Sequence, residues 1–241
     1  MISIGESKAS LCKGDFHPAA LYKGDKKIAG YSTEEFEGEG IVTLTNCYND
    51  KVYDVNIGDN TGVITVRGKN ILDMSKYKVS VGYYFDSAGG ENNTNTNFLK
   101  ISPITVEPST TYTISSNLYF YTIWFYSNLA DHSTNAISKV NTYDVKKGTF
   151  TTPENCKYIR VSFDIRKMIT DEVQGTALFQ WAMLEKGKGD GVYEPFIEPQ
   201  TVIFENGELK GEIPTFKGTT VIEIEADKNV TIKGKYKRKE V

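Results

Sequence analysis

The sequence is poor in His and Cys, common metal ligands and acid–base or nucleophilic groups: of 241 residues, 2 are His and 3 Cys, with 4 Met and 2 Trp, although Asp and Glu together number 31. His17 precedes Pro18 and His132 sits in Asp131-His132-Ser133-Thr134; neither has a metal-ligating neighbour in sequence, and both read as surface residues. Cys12, Cys47 and Cys156 match no zinc spacing, and an odd number gives no disulfide framework, so they read as free thiols of a reducing cytoplasm. There is no Gly-x-Ser-x-Gly elbow and no phosphate-binding loop. Gly187-Lys188-Gly189-Asp190-Gly191 is glycine-rich, but it leads into a proline-marked segment and reads as a loop. Nothing marks a carboxylate pair at the separation glycoside hydrolysis needs. The expectation is therefore a protein that is not an enzyme and requires no cofactor. No run approaches the roughly 20 apolar residues of a membrane span. The start, Met1-Ile2-Ser3-Ile4-Gly5-Glu6, lacks the basic and apolar regions of a secretory signal. A net charge of −3 speaks neither for nucleic acid nor for membrane insertion.

What is abundant is β-forming: 15 Tyr and 12 Phe, with much Gly, Thr, Asn and Val and few Ala-Leu-Glu helical runs. The chain opens on a near repeat, Ala9-Ser10-Leu11-Cys12-Lys13-Gly14-Asp15 and Ala19-Ala20-Leu21-Tyr22-Lys23-Gly24-Asp25, with Ile4-Gly5-Glu6 as a fainter copy. Gly-Asp turns between short strands predict a β-ribbon, residues 1–35, that serves as an attachment arm. Ile41–Thr45 and Val63–Val66 alternate as strands, with turns at Asn49-Asp50 and Gly58-Asp59-Asn60. Asp86–Asn97 reads as a polar loop too soluble for a core. Strands then recur at Ile101–Val106, Thr111–Ser115, Leu118–Tyr126, Thr149–Thr151, Lys157–Ile165 and Ala177–Leu184. Asn135–Asp144 and Ile165–Val173 are left for short helices or loops. Closely spaced strands without helices indicate a sandwich or barrel. Tyr193–Pro199, with its prolines, reads as an extended exit.

The C-terminal segment predicts a hairpin. A turn at Asp227-Lys228-Asn229 would pair Ile224 with Ile232 and Glu223 with Lys233, one face apolar and the other oppositely charged. The basic run Lys233-Lys235-Lys237-Arg238-Lys239 reads as a solvated strand face or a contact with an acidic neighbour. The organisation expected is an arm at 1–35, small β segments at 36–66 plus 200–241, and a β-sandwich at 67–199. Because both flanks are short and strand-like, the sandwich can also be an insertion into a flanking module.

Four ordered segments carry a family resemblance. They are Arg67-Gly68-Lys69-Asn70-Ile71-Leu72, Pro108-Ser109-Thr110-Thr111-Tyr112-Thr113-Ile114, Phe150-Thr151-Thr152-Pro153 with Tyr158-Ile159-Arg160-Val161, and Leu184-Glu185-Lys186-Gly187 with Tyr193-Glu194-Pro195-Phe196. Together they resemble a module of tail and baseplate proteins in phages and prophages of Gram-positive bacteria. Ala20-Leu21-Tyr22-Lys23-Gly24-Asp25 is similar to the opening repeats of small tail components. The resemblance implies a carbohydrate-binding-module-like jelly roll on a virion tail. It further implies partners among other tail proteins, oligomers of the chain itself, and host cell-surface polysaccharide.

Candidate sugar-binding residues come from alternation. In Tyr119–Tyr126, strict alternation puts Tyr119, Tyr121, Ile123 and Phe125 on one face and Phe120, Thr122, Trp124 and Tyr126 on the other. Both faces are aromatic, and a sandwich strand needs only one apolar face, so the surplus rings suit a subunit interface or the C–H face of a sugar. In Tyr158–Ile165 the residues Tyr158, Arg160, Ser162 and Asp164 oppose an apolar face; Arg160 and Asp164 either serve sugar hydroxyls or pair with each other in solvent. By the family comparison Leu184 points inward and Trp181 outward. The candidate groove is thus Trp124, Tyr126, Tyr158, Arg160 and Trp181. Asp86, Glu91 and Asn92 are candidate oxygen ligands for a loop-fixing calcium, although their spacing fits no recognised loop.

Overall fold

A computed structural model describes residues 2–4, 7–9, 20–23, 26–82, 84–85, 89–92, 95–129, 136–141, 145–170, 173–226 and 228–239. Cys12, His17, His132, Asp86, the Gly-Asp turns of the opening repeats and Asp227 lie outside the described residues. The protein is all-β: among the described residues the only helical elements are short 3₁₀ turns at Met74–Lys76 and Gly175–Leu178. No helix among them is long and apolar enough to cross a membrane. The chain divides into a unit of Met1–Gly68 with Glu198–Val241, and a unit of Lys69–Ile197.

The Lys69–Ile197 unit is a β-sandwich of antiparallel strands. One sheet runs, in spatial order, Ala136–Asn141, Tyr119–Tyr126, Tyr158–Asp164, Phe98–Thr105 and Val79–Val81; the other runs Lys147–Thr151, Thr111–Ser116 and Ala182–Lys186. Leu99, Ile101, Ile123, Phe125, Ile159, Val161 and Phe163 from the first sheet share one core with Tyr112, Ile114, Phe150 and Leu184 from the second. The alternation in Tyr158–Asp164 sends Ile159, Val161 and Phe163 into that core, as read from the sequence. Tyr119–Tyr126 does not alternate strictly. A bulge between Phe120 and Thr122 inserts one residue, so Phe120 faces Phe163 while Ile123 faces Val161. Phe120 therefore joins Ile123 and Phe125 in the core, and Tyr121 packs instead on Phe98 and Tyr84.

Two further expectations are corrected here. Asn135–Asp144 contains a strand, Ala136–Asn141, paired along Tyr119–Tyr126. Ala177–Leu184 is not continuous: the 3₁₀ turn Gly175–Leu178 precedes it and the strand begins only at Ala182, which leaves Trp181 outside the ladder. Gly175 has φ +58, a left-handed conformation that interrupts any extended approach.

The other unit holds a nine-stranded sheet. Its order is Glu208–Leu209, Gln200–Glu205, Gly62–Gly68, Gly218–Ala226, Ile41–Cys47, Thr231–Lys239, Lys26–Glu39 and Ala20–Lys23, with Tyr53–Asn56 also on Thr231–Lys239. Leu44, Cys47, Ile64, Val66, Phe204, Ile222 and Ile232 are buried. Ala20–Lys23 and the start of Lys26–Glu39 form a hairpin, and Ile2–Ile4 pairs with Ser7–Ala9. Lys26–Glu39 is one unbroken strand.

The expected C-terminal hairpin is not formed, because Ile41–Cys47 lies between its two halves. Glu223 stands opposite Thr65 and Ile41, and its carboxylate takes a 2.7 Å bond from the Arg67 guanidinium. Lys233 stands opposite Glu37 at 2.8 Å. The basic run meets an acidic strand: Lys235 reaches Glu35 at 3.6 Å and Arg238 reaches Glu34 at 3.8 Å. Opposite charge over a nine-residue ladder outcompetes a local hairpin that offers a single such pair.

Candidate functional site

Below the bulge, Tyr119–Tyr126 and Tyr158–Asp164 are in register, and their outward side chains meet in pairs. Trp124 stands opposite Arg160, Tyr126 opposite Tyr158, and Thr122 opposite Ser162 with a 2.9 Å hydroxyl bond. Phe98 and Lys100 of the neighbouring strand extend this face. Four of the sequence-derived residues, Trp124, Tyr126, Tyr158 and Arg160, are thus brought together on the side of the sheet away from the main core.

The face is covered rather than open. A small hairpin pairs Tyr84 with Asn92 and Phe85 with Glu91. Phe85, Trp124 and Tyr126 form a second apolar cluster, with Ala136 and Tyr158 packed against it. Trp124 is 6% exposed, Arg160 4% and Tyr126 0%. The stretch read as a purely soluble loop therefore contributes residues 89–92 to the cover. Gly89 explains how the backbone comes so close. Its φ is +81, and a side-chain carbon there would lie 2.7 Å from Ala136 Cβ and 3.2 Å from Trp124 Cε3. Its carbonyl accepts a 2.6 Å bond from the Tyr126 hydroxyl.

Arg160 is set among rings. Its guanidinium carbon is 5.0 Å from the Tyr126 ring centre and 5.9 Å from that of Phe85. Nη1 donates to Glu91 Oε2 at 3.4 Å, and the same Glu91 carboxylate is ion-paired with Lys100. Burial pulls the Arg160 pKa below its usual value, with the charge of Glu91 among the opposing influences. Of three buried side-chain polar atoms without a hydrogen-bond partner among the described residues, two are on this face, Arg160 Nε and Trp124 Nε1; the third is Ser115 Oγ, on a strand of the other sheet. Lys139 Nζ lies 5.3 Å from the Trp124 ring centre. Arg160 and Asp164 do not pair with each other. Burial raises the Asp164 carboxyl, but hydrogen bonds from Arg166, at 3.0 Å from Nε, outweigh it and hold the pKa below the usual range.

Trp181 belongs to another place in the same unit. It is half-buried, its backbone N–H donates to Asn117 Oδ1 at 3.1 Å, and its ring lies on that of Tyr193, with centres 4.6 Å apart and planes 30° from parallel. From the segment that follows Trp181, three carboxylates gather around Lys69, Asp190 at 2.7 Å, Glu194 at 3.4 Å and Glu185 at 4.0 Å. Burial pushes Glu185 above the usual carboxylate range, only partly offset by Lys69. Sequence reasoning passed over this cluster, as it did Phe85, Gly89 and Lys100. Glu91 was singled out for calcium, but its carboxylate serves Arg160 and Lys100. Among the described residues no group of three His, Cys, Asp or Glu is placed to hold a metal ion. Cys47 and Cys156 are buried, and the Cys156 thiol donates to the Tyr158 carbonyl at 3.4 Å.

No family model matches the chain, and no curated protein does. Among solved structures it is similar to the selenomethionine-labelled mavirus penton protein, at 9% identity over 87% of this chain and 99% of that one, with a TM-score of 0.11. A superposition that loose supports no inference about fold or function.

Proposed function

We infer that the chain is a non-enzymatic component of a phage or phage-like tail or baseplate, and that its Lys69–Ile197 sandwich recognises glycan on the host cell surface. The observation that carries this reading is the outward face of the five-stranded sheet. There Trp124, Tyr126, Tyr158 and Arg160 converge, and two buried N–H donors lack acceptors among the described residues. Sugar recognition combines flat ring surface with a few convergent polar groups, and these residues supply both. The Trp181–Tyr193 stack offers a further ring surface. Each copy binds weakly, and display of several copies on a particle raises the apparent affinity by factors of about 10² to 10⁴. A multimerised form of the chain is expected to be retained on host cell walls and to select glycans on an array. No retention under multivalent display refutes the reading.

Burial favours a second reading. Trp124, Tyr126 and Arg160 are almost inaccessible, as packed structural residues are. A structural decoration or adaptor subunit would bind purified tail or baseplate proteins with no response to added sugar, and co-sedimentation with and without oligosaccharide separates the two.

A further inference from the structure

The polar groups beneath the small hairpin are poorly matched to one another. Arg160 is buried, yet its Nε–H has no acceptor among the described residues, and the 3.4 Å from Nη1 to Glu91 is long beside the roughly 2.7–2.9 Å of a good guanidinium–carboxylate bond. Trp124, directly across the ladder, carries the second unmatched N–H. Among the described residues, then, this face holds two buried N–H donors without acceptors, and the carboxylate that meets Arg160 comes from Glu91–Asn92, a strand of two residues. That carboxylate is also the most accessible part of the arrangement: the Glu91 side chain is 21% exposed, against 5% for Arg160.

We propose that Glu91 is an internal stand-in for the ligand, and that the ligand is a sugar bearing a carboxylate, a uronic acid, whose carboxylate takes the place of Glu91 on Arg160 and Lys100. The inference rests on the glycan reading above and narrows its chemistry. A neutral sugar displacing Glu91 would strip Arg160 of its counter-charge in a buried setting, which is strongly unfavourable. A planar carboxylate restores that charge and matches the guanidinium fork in shape. A swing of the Glu91 side chain opens the position without disturbing the sheet, and the half-buried Tyr158 ring packs against the Phe85–Trp124–Tyr126 cluster.

The full chain is titrated with oligomers of galacturonic, glucuronic and mannuronic acid and with neutral oligosaccharides of equal length, followed by calorimetry. At least one uronate series is expected to saturate and to weaken with added salt. Glu91→Gln is expected to tighten that binding about tenfold, since the competing carboxylate is lost. Arg160→Lys, which keeps charge but loses the fork, is expected to weaken it about tenfold. Thermal melts establish that each variant is folded. The proposal is overturned if no uronate binds, or if Glu91→Gln leaves affinity unchanged or lower. Binding of neutral sugars alone removes the uronate assignment and leaves the glycan reading standing; binding of neither series, even on a multimerised chain, removes both.

Discussion

Gly89 tests the covered face at a single position. Its left-handed φ and the 2.7 Å approach to Ala136 Cβ leave no room for a methyl group, so Gly89→Ala is expected to cost about 1–3 kcal/mol. Both tryptophans, Trp124 and Trp181, lie in the Lys69–Ile197 unit, so urea unfolding followed by tryptophan fluorescence reads that unit alone. A variant as stable as the parent shows that the cover does not press on Trp124. Glu185 gives a pH-dependent test. Its pKa is raised above the ordinary 4.5, so the folded chain binds this proton more tightly than the unfolded chain. The associated stability is full below the unfolded value and is lost as pH rises through the folded one. Glu185→Gln keeps an acceptor for the Gly191 N–H, a 3.1 Å bond. The variant is expected to equal the parent near pH 4 and to exceed it at neutral pH, in the same fluorescence-monitored unfolding. An advantage that grows toward acid contradicts the assignment. At this scale the sequence was partly legible. Aromatic surplus pointed to Trp124, Tyr126 and Tyr158, because ring content is visible without contacts. Glu91 and Gly89 were not legible as parts of the face, because their importance lies in what packs across from them.

Among whole elements, what could be read depended on whether one strand sufficed. Tyr158–Asp164 alternates between apolar residues, Ile159, Val161 and Phe163, and more polar ones, so its faces were evident. Tyr119–Tyr126 has large side chains at nearly every position, and nothing in such a run marks where a bulge shifts the phase. The C-terminal pairing failed for another reason: Thr231–Lys239 finds its partner in Lys26–Glu39, about two hundred residues earlier in the chain, and no local pattern announces that. Charge is the trace it leaves. Lys233 and Glu37 are both more than half exposed, so the pair contributes about 0.2–1 kcal/mol and is screened by salt. Lys233→Glu alone is expected to destabilise the Met1–Gly68/Glu198–Val241 unit by a similar amount, and Glu37→Lys in the same chain to recover most of the loss. A double-mutant cycle by calorimetry at low and high salt measures the coupling. Additive single effects at low salt indicate that the ladder is held by its backbone and apolar face alone.

At the level of the whole chain, connectivity makes an unusual demand. Val66 stands opposite Gln200 in an antiparallel ladder, and continuing that register brings Gly68 level with Glu198. Where a hairpin would place its turn, this chain places Lys69–Ile197. The ends of that segment are fastened to each other. Asn70 Nδ2 donates to the Glu194 carbonyl at 3.0 Å, the Ile71 N–H donates to the Leu184 carbonyl at 2.9 Å, and Lys69 holds Asp190 and Glu194. A segment that closes on itself while leaving adjacent ends behind has the connectivity of an inserted domain, and each part has its own buried residues to sustain it. Two deletions follow. Residues 69–197 expressed alone are expected to give a monomeric β protein with a cooperative thermal transition. The remainder, with a short glycine-containing turn joining Gly68 to Glu198, is expected to fold as well, since the ladder needs only a hairpin connection there. Lys69→Met should lower the transition of the isolated sandwich, because it leaves the buried Glu185 without its cation. Circular dichroism and amide NMR dispersion decide each case. If the sandwich folds and the remainder does not, the flanking strands depend on the insert, and the chain is one cooperative body with a continuous fold.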